Sequence, residues 1–231
     1  FPMENGYPIT DAANSGYDPA NPYNNRDPRL ANTIVVNGST MAGKVINTST
    51  NGGDDAVDYL KTSTRTGYYL RKLLREDVNV DPTVMLGKKH YPVHIRYTEI
   101  FLAYAEAANE AWGPDGKGPH AYSARDVIAA IRSRAGITQP DSYLASISSK
   151  EDMRALIQNE RRLELCFEGF RFWDLRRWKK DLTEPAMGVR ITDGNFVVST
   201  VEKRLYEDYM VYPPLPYNEV LKTGMVQNNG W

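Results

Sequence analysis

The sequence predicts a mainly α protein with long irregular loops and a few short β-strands. Three observations lead there. An apolar, alanine-rich helical period covers 94–112, a second period with capping signals covers 123–136, and a third runs from about 149 to 169. Of the 231 residues, 41% are hydrophobic, which allows one sizeable core or two small ones and argues against disorder.

Residues 1–60 are rich in Asn, Gly, Ser, Thr, Asp and Pro, carry Tyr7, Tyr17, Tyr23 and Tyr59, and read as loop. Residues 33–36 form a candidate edge strand, closed by the Asn37-Gly38 turn signal. The run TGYYLRKLL over 66–74 reads as extended, with a short helix as the alternative. A polar loop follows to about Pro92.

In the helix over 94–112, Ala103, Ala105, Ala107, Ala108 and Ala111 are small enough for a neighbouring helix to approach closely, while Glu99, Glu106 and Glu110 form a polar strip. Gly113-Pro114 and Gly118-Pro119 stop it. The next helix has Ser123 as N-cap, Asp126 in the capping-box position and Gly136 as its stop, with Val127, Ile128, Ile131 and Ala135 on one stripe. Together these two make a helical hairpin of tetratricopeptide type, a unit built for stacking on like units. Beyond Trp178, 189–191, 196–201 and 209–212 read as short strands, 213–216 (PPLP) as an extended stop, and 218–221 as a helical turn. The chain is therefore read as one region: loop-rich over 1–92, a helical core over 93–180, then short strands and a tail over 181–231.

The stretch 159–178, NERRLELCFEGFRFWDLRRW, reads as one nearly continuous helical segment and concentrates arginines, glutamates and large aromatics. At about 100° per residue, Met153, Leu156, Ile157 and Phe167 share a side that encloses Glu160 and Glu164. A carboxylate entering a core must be protonated, paired or metal-bound, and the neighbouring arginines make bidentate pairing the least costly answer. The rival reading is a glycoside hydrolase using Glu160 and Glu164, which would need the two carboxylates about 5 to 9.5 Å apart in an open cleft.

A net charge of -1 gives no general attraction to nucleic acid. The single Cys166, set in an apolar helical pattern, reads as an inert buried thiol and excludes an internal disulfide. No apolar run approaches the ~20 residues that cross a bilayer, and the first residues lack a signal-peptide pattern. Asp77, Asn79 and Asp81 open like a calcium loop, but Pro82 stands where glycine is needed and Lys88 where a bidentate Glu is needed. His90 and His94 have zinc spacing, but Pro92 between them breaks the helix that zinc would require. Asn37-Gly38-Ser39 and Asn47-Thr48-Ser49 fit a glycosylation pattern and read as turns. Phosphate loops, nucleophile elbows and Cys/His pairs are missing from the sequence, so no metal or cofactor is expected.

Tyrosines and asparagines on irregular backbone provide flat apolar faces beside amide donors and acceptors, which is the chemistry a pyranose presents in complement. Several runs, in order, carry a more specific signal: 21–30 (NPYNNRDPRL), 66–74, 94–111 (HIRYTEIFLAYAEAANEA), 130–137 (AIRSRAGI), 159–178, and YPPLPYNEV to the final QNNGW. Over about residues 20–231 the chain resembles the C-terminal half of the SusD/RagB family of surface glycan-binding lipoproteins.

That resemblance implies helical hairpins with long loops, no enzymatic activity, a place on the extracellular face of the outer membrane, and handover of oligosaccharide to a SusC-like TonB-dependent transporter. It also implies a chain about twice this length, whose N-terminal half, with its lipid-modified cysteine, is absent here; membrane contact would run only through that anchor. The absent half would cover apolar surface on the helix over 94–112. Trp173, Asp174 and Arg176 match the family motif and are expected, with Glu160, Glu164 and Arg161, to form an internal framework of ion pairs and aromatics. For the glycan site the candidates are Tyr7, Tyr17 and Tyr59, with Asn14 and Asp55 as polar partners. A third reading makes the hairpin a scaffold for a protein partner without glycan binding.

Overall fold

A computed structural model describes residues 1–91 and 93–231. Its core is helical. Helix α2, Tyr97–Trp112, packs against both α3, Ala124–Ala135, and α5, Lys150–Glu164. Leu102, Ala105 and Ala108 of α2 meet Val127, Ile128 and Ile131 of α3 and Met153, Leu156 and Ile157 of α5, all buried. The small residues do what their size allows: at Ala105 and Ala108 the α2 surface is fully covered. The caps follow the sequence. Ser123 and Asp126 form a reciprocal capping box, and Gly136 closes α3 in the left-handed conformation at φ 92°. A short helix α4, Ser142–Ser146, capped by Asp141, links α3 to α5.

Strands are few and short. In the loop-rich first part, α1 (Arg29–Thr33) leads into β1 (Ile34–Val35). β1 pairs antiparallel with β4 (Tyr69–Leu70), so both runs expected to be extended are extended, and against each other. β2 (Thr40–Met41) and β3 (Lys44–Val45) make a tight hairpin. After α6, Arg171–Arg177, strands β5 (Ala186–Thr192) and β6 (Asn195–Glu202) form a longer hairpin through Asp193-Gly194, both at positive φ as a two-residue turn of this type requires. This hairpin docks on the loops through Val189, whose N–H donates to the Thr66 carbonyl at 2.8 Å. The close approach needs Gly67, where a Cβ would stand 2.2 Å from the Val189 oxygen.

Three expectations are corrected and one is borne out and extended. The helix over 94–112 begins only at Tyr97, because Arg96 is extended (φ -139°, ψ 152°) and sends its guanidinium towards α5. The helix over 149–169, and the continuous segment to Trp178, break after Glu164. The Glu164 carbonyl accepts from the Lys72 ammonium at 2.9 Å and from Arg96, which takes the place of the next helical turn. Phe167 then adopts φ 64° and Gly169 φ 87°, so Phe167 leaves the apolar stripe and is half exposed. The strand expected over 209–212 is a 3-10 turn, Asp208–Val211, with Tyr209 edge-on to Trp231 in place of a neighbouring strand. The helical turn over 218–221 is a full short helix α7, Tyr217–Thr223. Pro92, invoked against zinc at His90 and His94, lies outside the described residues.

One face of the α2–α3 hairpin is left open. Ile100 is 55% and Phe101 50% exposed, and with Tyr104, Tyr122, Val127 and Ile131 they line an apolar hollow of about 560 Å³. Among the described residues no helix is long and apolar enough to cross a membrane.

Candidate functional site

The two glutamates of the apolar stripe are indeed inside, and both are tied. Glu160 is 0% exposed and accepts from Arg29 at 2.8 Å and from Arg132 at 2.8 Å. Arg132 also grips Asp141 through two hydrogen bonds and donates to the Gly6 carbonyl at 3.0 Å. Arg29 reaches Asp27 as well. One turn on, Glu164 accepts from Arg29 at 3.2 Å, Arg96 at 3.0 Å and Arg134. Burial alone would raise the Glu164 pKa, but the Arg134 and Arg96 hydrogen bonds outweigh it and hold the carboxyl below its ordinary value. Neither side chain is free to act as an acid or a nucleophile, so the pair that a glycosidase would need is consumed by guanidiniums.

The rest of the expected framework divides. Arg161 makes two hydrogen bonds to the buried Asp174, at 2.9 and 2.7 Å, locking α6 onto α5. Arg176 lies 3.5 Å over the Phe172 ring. Trp173 is 67% exposed and meets only the edge of Phe172, so its indole stands outside the buried network.

The five loop candidates fall into two groups. Asn14, Tyr7 and Tyr17 belong to the first loop, where Asn5 bridges Asn14 and Tyr7 by donating to the Asn14 carbonyl at 2.9 Å and accepting from the Tyr7 N–H at 3.1 Å. Asn14 donates its own amide to Asp11. The Tyr17 ring faces the Arg26 guanidinium at 5.6 Å. Asp55 is engaged by Lys44 at 3.2 Å and by the Asn47 N–H at 3.1 Å, near the exposed Tyr59. Among the described residues no hydrogen bond or ring contact joins the two groups.

A different arrangement emerges on the outward face of α5. Two neighbouring hollows, of about 400 and 410 Å³, meet at Asn159 and Arg162, which line both, and are taken together as one groove. Each is within the size range of small-ligand sites. On one side stand Arg171, Leu175 and Trp178, spaced along α6 and its cap so that they share a face; Lys180 continues the wall. On the other stand Tyr143 of α4 and the turn around Pro8 and Ile9. Tyr143 is braced from behind: its ring lies 5.4 Å from that of Tyr7 and 5.7 Å from the Arg132 guanidinium. Trp178 is fixed by its indole N–H, which donates to Glu106 at 2.9 Å, and the Arg177 guanidinium covers one side of its ring at 5.0 Å.

The groove therefore has an aromatic ring at each end and polar side chains between them. Among the described residues, the amides of Gln158 and Asn159 and the guanidiniums of Arg162 and Arg171 have no hydrogen-bond partner within the chain. Such a row offers ring faces for apolar C–H surfaces and free donors and acceptors for hydroxyls. Sequence reasoning had marked the segment that carries Arg162, Arg171 and Trp178, but as internal framework. The missed signal is positional: Arg161 and Arg162 are one residue apart and so point about 100° apart, one inward and one into the groove.

The other large cleft, about 610 Å³ around Lys72, Arg96 and Arg134, is lined by cations already bound to Glu164 and Glu168. The α2–α3 hollow is apolar, with few groups to orient a polyhydroxylated ligand.

Comparison with known proteins gives the following. The model of the SusD family matches residues 1–231. A SusD-like protein P38 of Formosa agariphila is 32% identical over 109 residues, 45% of this chain and 19% of that protein. A crystal structure of a SusD-like protein from Bacteroides fragilis superposes with a TM-score of 0.73 at 27% identity, over 100% of this chain and 45% of that one. A second, of a SusD-like carbohydrate-binding protein from the same species, gives 0.64 at 25% identity, over 91% and 43%. The chain thus spans less than half the length of each of these relatives.

Proposed function

The chain belongs to the SusD family, and from that premise we propose that it binds oligosaccharide without catalysing its cleavage, as part of a cell-surface uptake system. The observation that carries the reading is the α5 groove. In this reading Tyr143 and the Trp178 face turned away from Arg177 stack on sugar rings, and the free amides of Gln158 and Asn159, which line the same hollows, serve their hydroxyls. The likeness to a solved carbohydrate-binding relative supports it. Tyr7 enters as the brace behind Tyr143, while Tyr17, Tyr59, Asn14 and Asp55 remain candidates for contacts with a longer glycan.

In this reading the ligand passes to a SusC-like TonB-dependent transporter, and the site faces outward from the outer membrane. Pairing of Glu160 and Glu164 with arginines supports a non-catalytic role. Calorimetric titration of the 231-residue chain with a panel of oligosaccharides tests the proposal. Binding that weakens on Tyr143→Ala and on Asn159→Ala supports it; no binding to any member, or release of reducing ends on incubation, overturns it.

A further inference from the structure

We infer that the groove selects acidic glycans, placing a carboxylate or sulfate ester between the guanidiniums of Arg162 and Arg171. The inference rests on the glycan-binding reading and deepens it. Most arginines near this face are absorbed: Arg29, Arg96, Arg132, Arg134, Arg161 and Arg177 each face a carboxylate within 4 Å, and Arg176 lies over the Phe172 ring. Arg162 and Arg171 do not, although they line the same hollow. Burial and, after it, the nearby positive charge of Arg162 push the Arg171 pKa below its ordinary value, with Glu184 and Asp174 acting the other way. An anion between them would relieve that repulsion, and the planar fork of each guanidinium fits two oxygens of a carboxylate or sulfate.

Two carboxylates share the wall, and both are set apart from the arginine pair. Asp181 accepts from the N–H and hydroxyl of Thr183. Glu184 raises the Arg171 pKa but lies beyond ion-pair distance. With Lys180 the lining holds three cations against these two. This excess of positive charge favours an anionic sugar over a neutral one.

The test is calorimetric titration of the whole chain at low salt with three probes: tetragalacturonate, a sulfated carrageenan tetrasaccharide, and neutral galactotetraose. At least one acidic probe binds about ten-fold tighter than the neutral one, and the gap closes in about 0.5 M salt. Whether the carboxylate or the sulfate probe wins identifies the anion. Arg162→Gln and Arg171→Gln each cost the acidic probe about ten-fold more than they cost galactotetraose, because glutamine keeps a hydrogen-bond donor for hydroxyls and loses only the charge. Both side chains are exposed, so melting curves of the variants match the parent. Equal binding of acidic and neutral probes, or variants with undiminished acidic binding, overturns the inference while the glycan-binding reading stands. Failure of all three probes and of the wider panel removes both.

Discussion

Replacing Glu160 by Gln keeps the shape of the side chain and removes its charge, which isolates what the buried carboxylate contributes. In the native chain its two oxygens are divided, one to Arg29 and one to Arg132. A glutamine offers one oxygen and one NH₂ group, so one guanidinium must face a donor. Removing one partner of a buried ion pair costs about 3 to 5 kcal/mol. The lower end applies, because Arg132 keeps Asp141 and Arg29 keeps Asp27 and Glu164. For a chain of this size, about 3 kcal/mol lowers the melting temperature by roughly 6 to 12 °C. Differential scanning calorimetry of Glu160→Gln against the parent reads this directly. A melting temperature within about 2 °C of the parent would refute the claim that Glu160 clamps three segments together.

Acid should act on the same network. Glu164, Glu168 and Glu106 all have depressed pKa values in the folded chain, so the stability they contribute is fully present above the unfolded value near 4.3 and is lost as pH falls through the folded values. Urea midpoints should hold from pH 7 to about 5.5 and drop below about 4.5; a midpoint unchanged at pH 3 contradicts this. Gly67→Ala puts a Cβ against the Val189 oxygen at a φ of +81°, and should cost about 1 to 3 kcal/mol, seen as faster amide exchange of Val189; unchanged protection refutes the docking role. The open hollow beside Phe101 should bind an apolar fluorescent dye such as anilinonaphthalene sulfonate, with the signal falling on Phe101→Ser. A signal that the substitution does not change shows that the dye binds elsewhere.

The helical scaffold was legible wherever the signal is local. Ser123, Asp126 and Gly136 bracket α3 with chemistry complete within its own residues. The end of α5 was not legible, because Lys72 and Arg96, remote in sequence, decide it by taking the Glu164 carbonyl. Pairing of Glu160 and Glu164 with arginines could be argued from periodicity and desolvation, yet the partners Arg29, Arg96, Arg132 and Arg134 lie outside the segment that suggested them. The groove was hidden for a similar reason. Tyr143 becomes part of a site only because the first loop folds back over α4, and Arg162 only because α6 turns to stand beside it.

The ties from the first third of the chain to the last also decide what a cut would do. Residues 81–90 are exposed throughout and include Lys88 and Lys89, a natural target for trypsin. Yet Arg29 and Lys72 on one side of that stretch are held by Glu160, Glu164 and Glu168 on the other, the Glu4 carbonyl accepts from Thr138, and Thr66 accepts from Val189. A chain nicked there would migrate as two peptides under denaturing conditions and as one particle without them. Its continuity is held by charge and hydrogen bonds as much as by the peptide backbone.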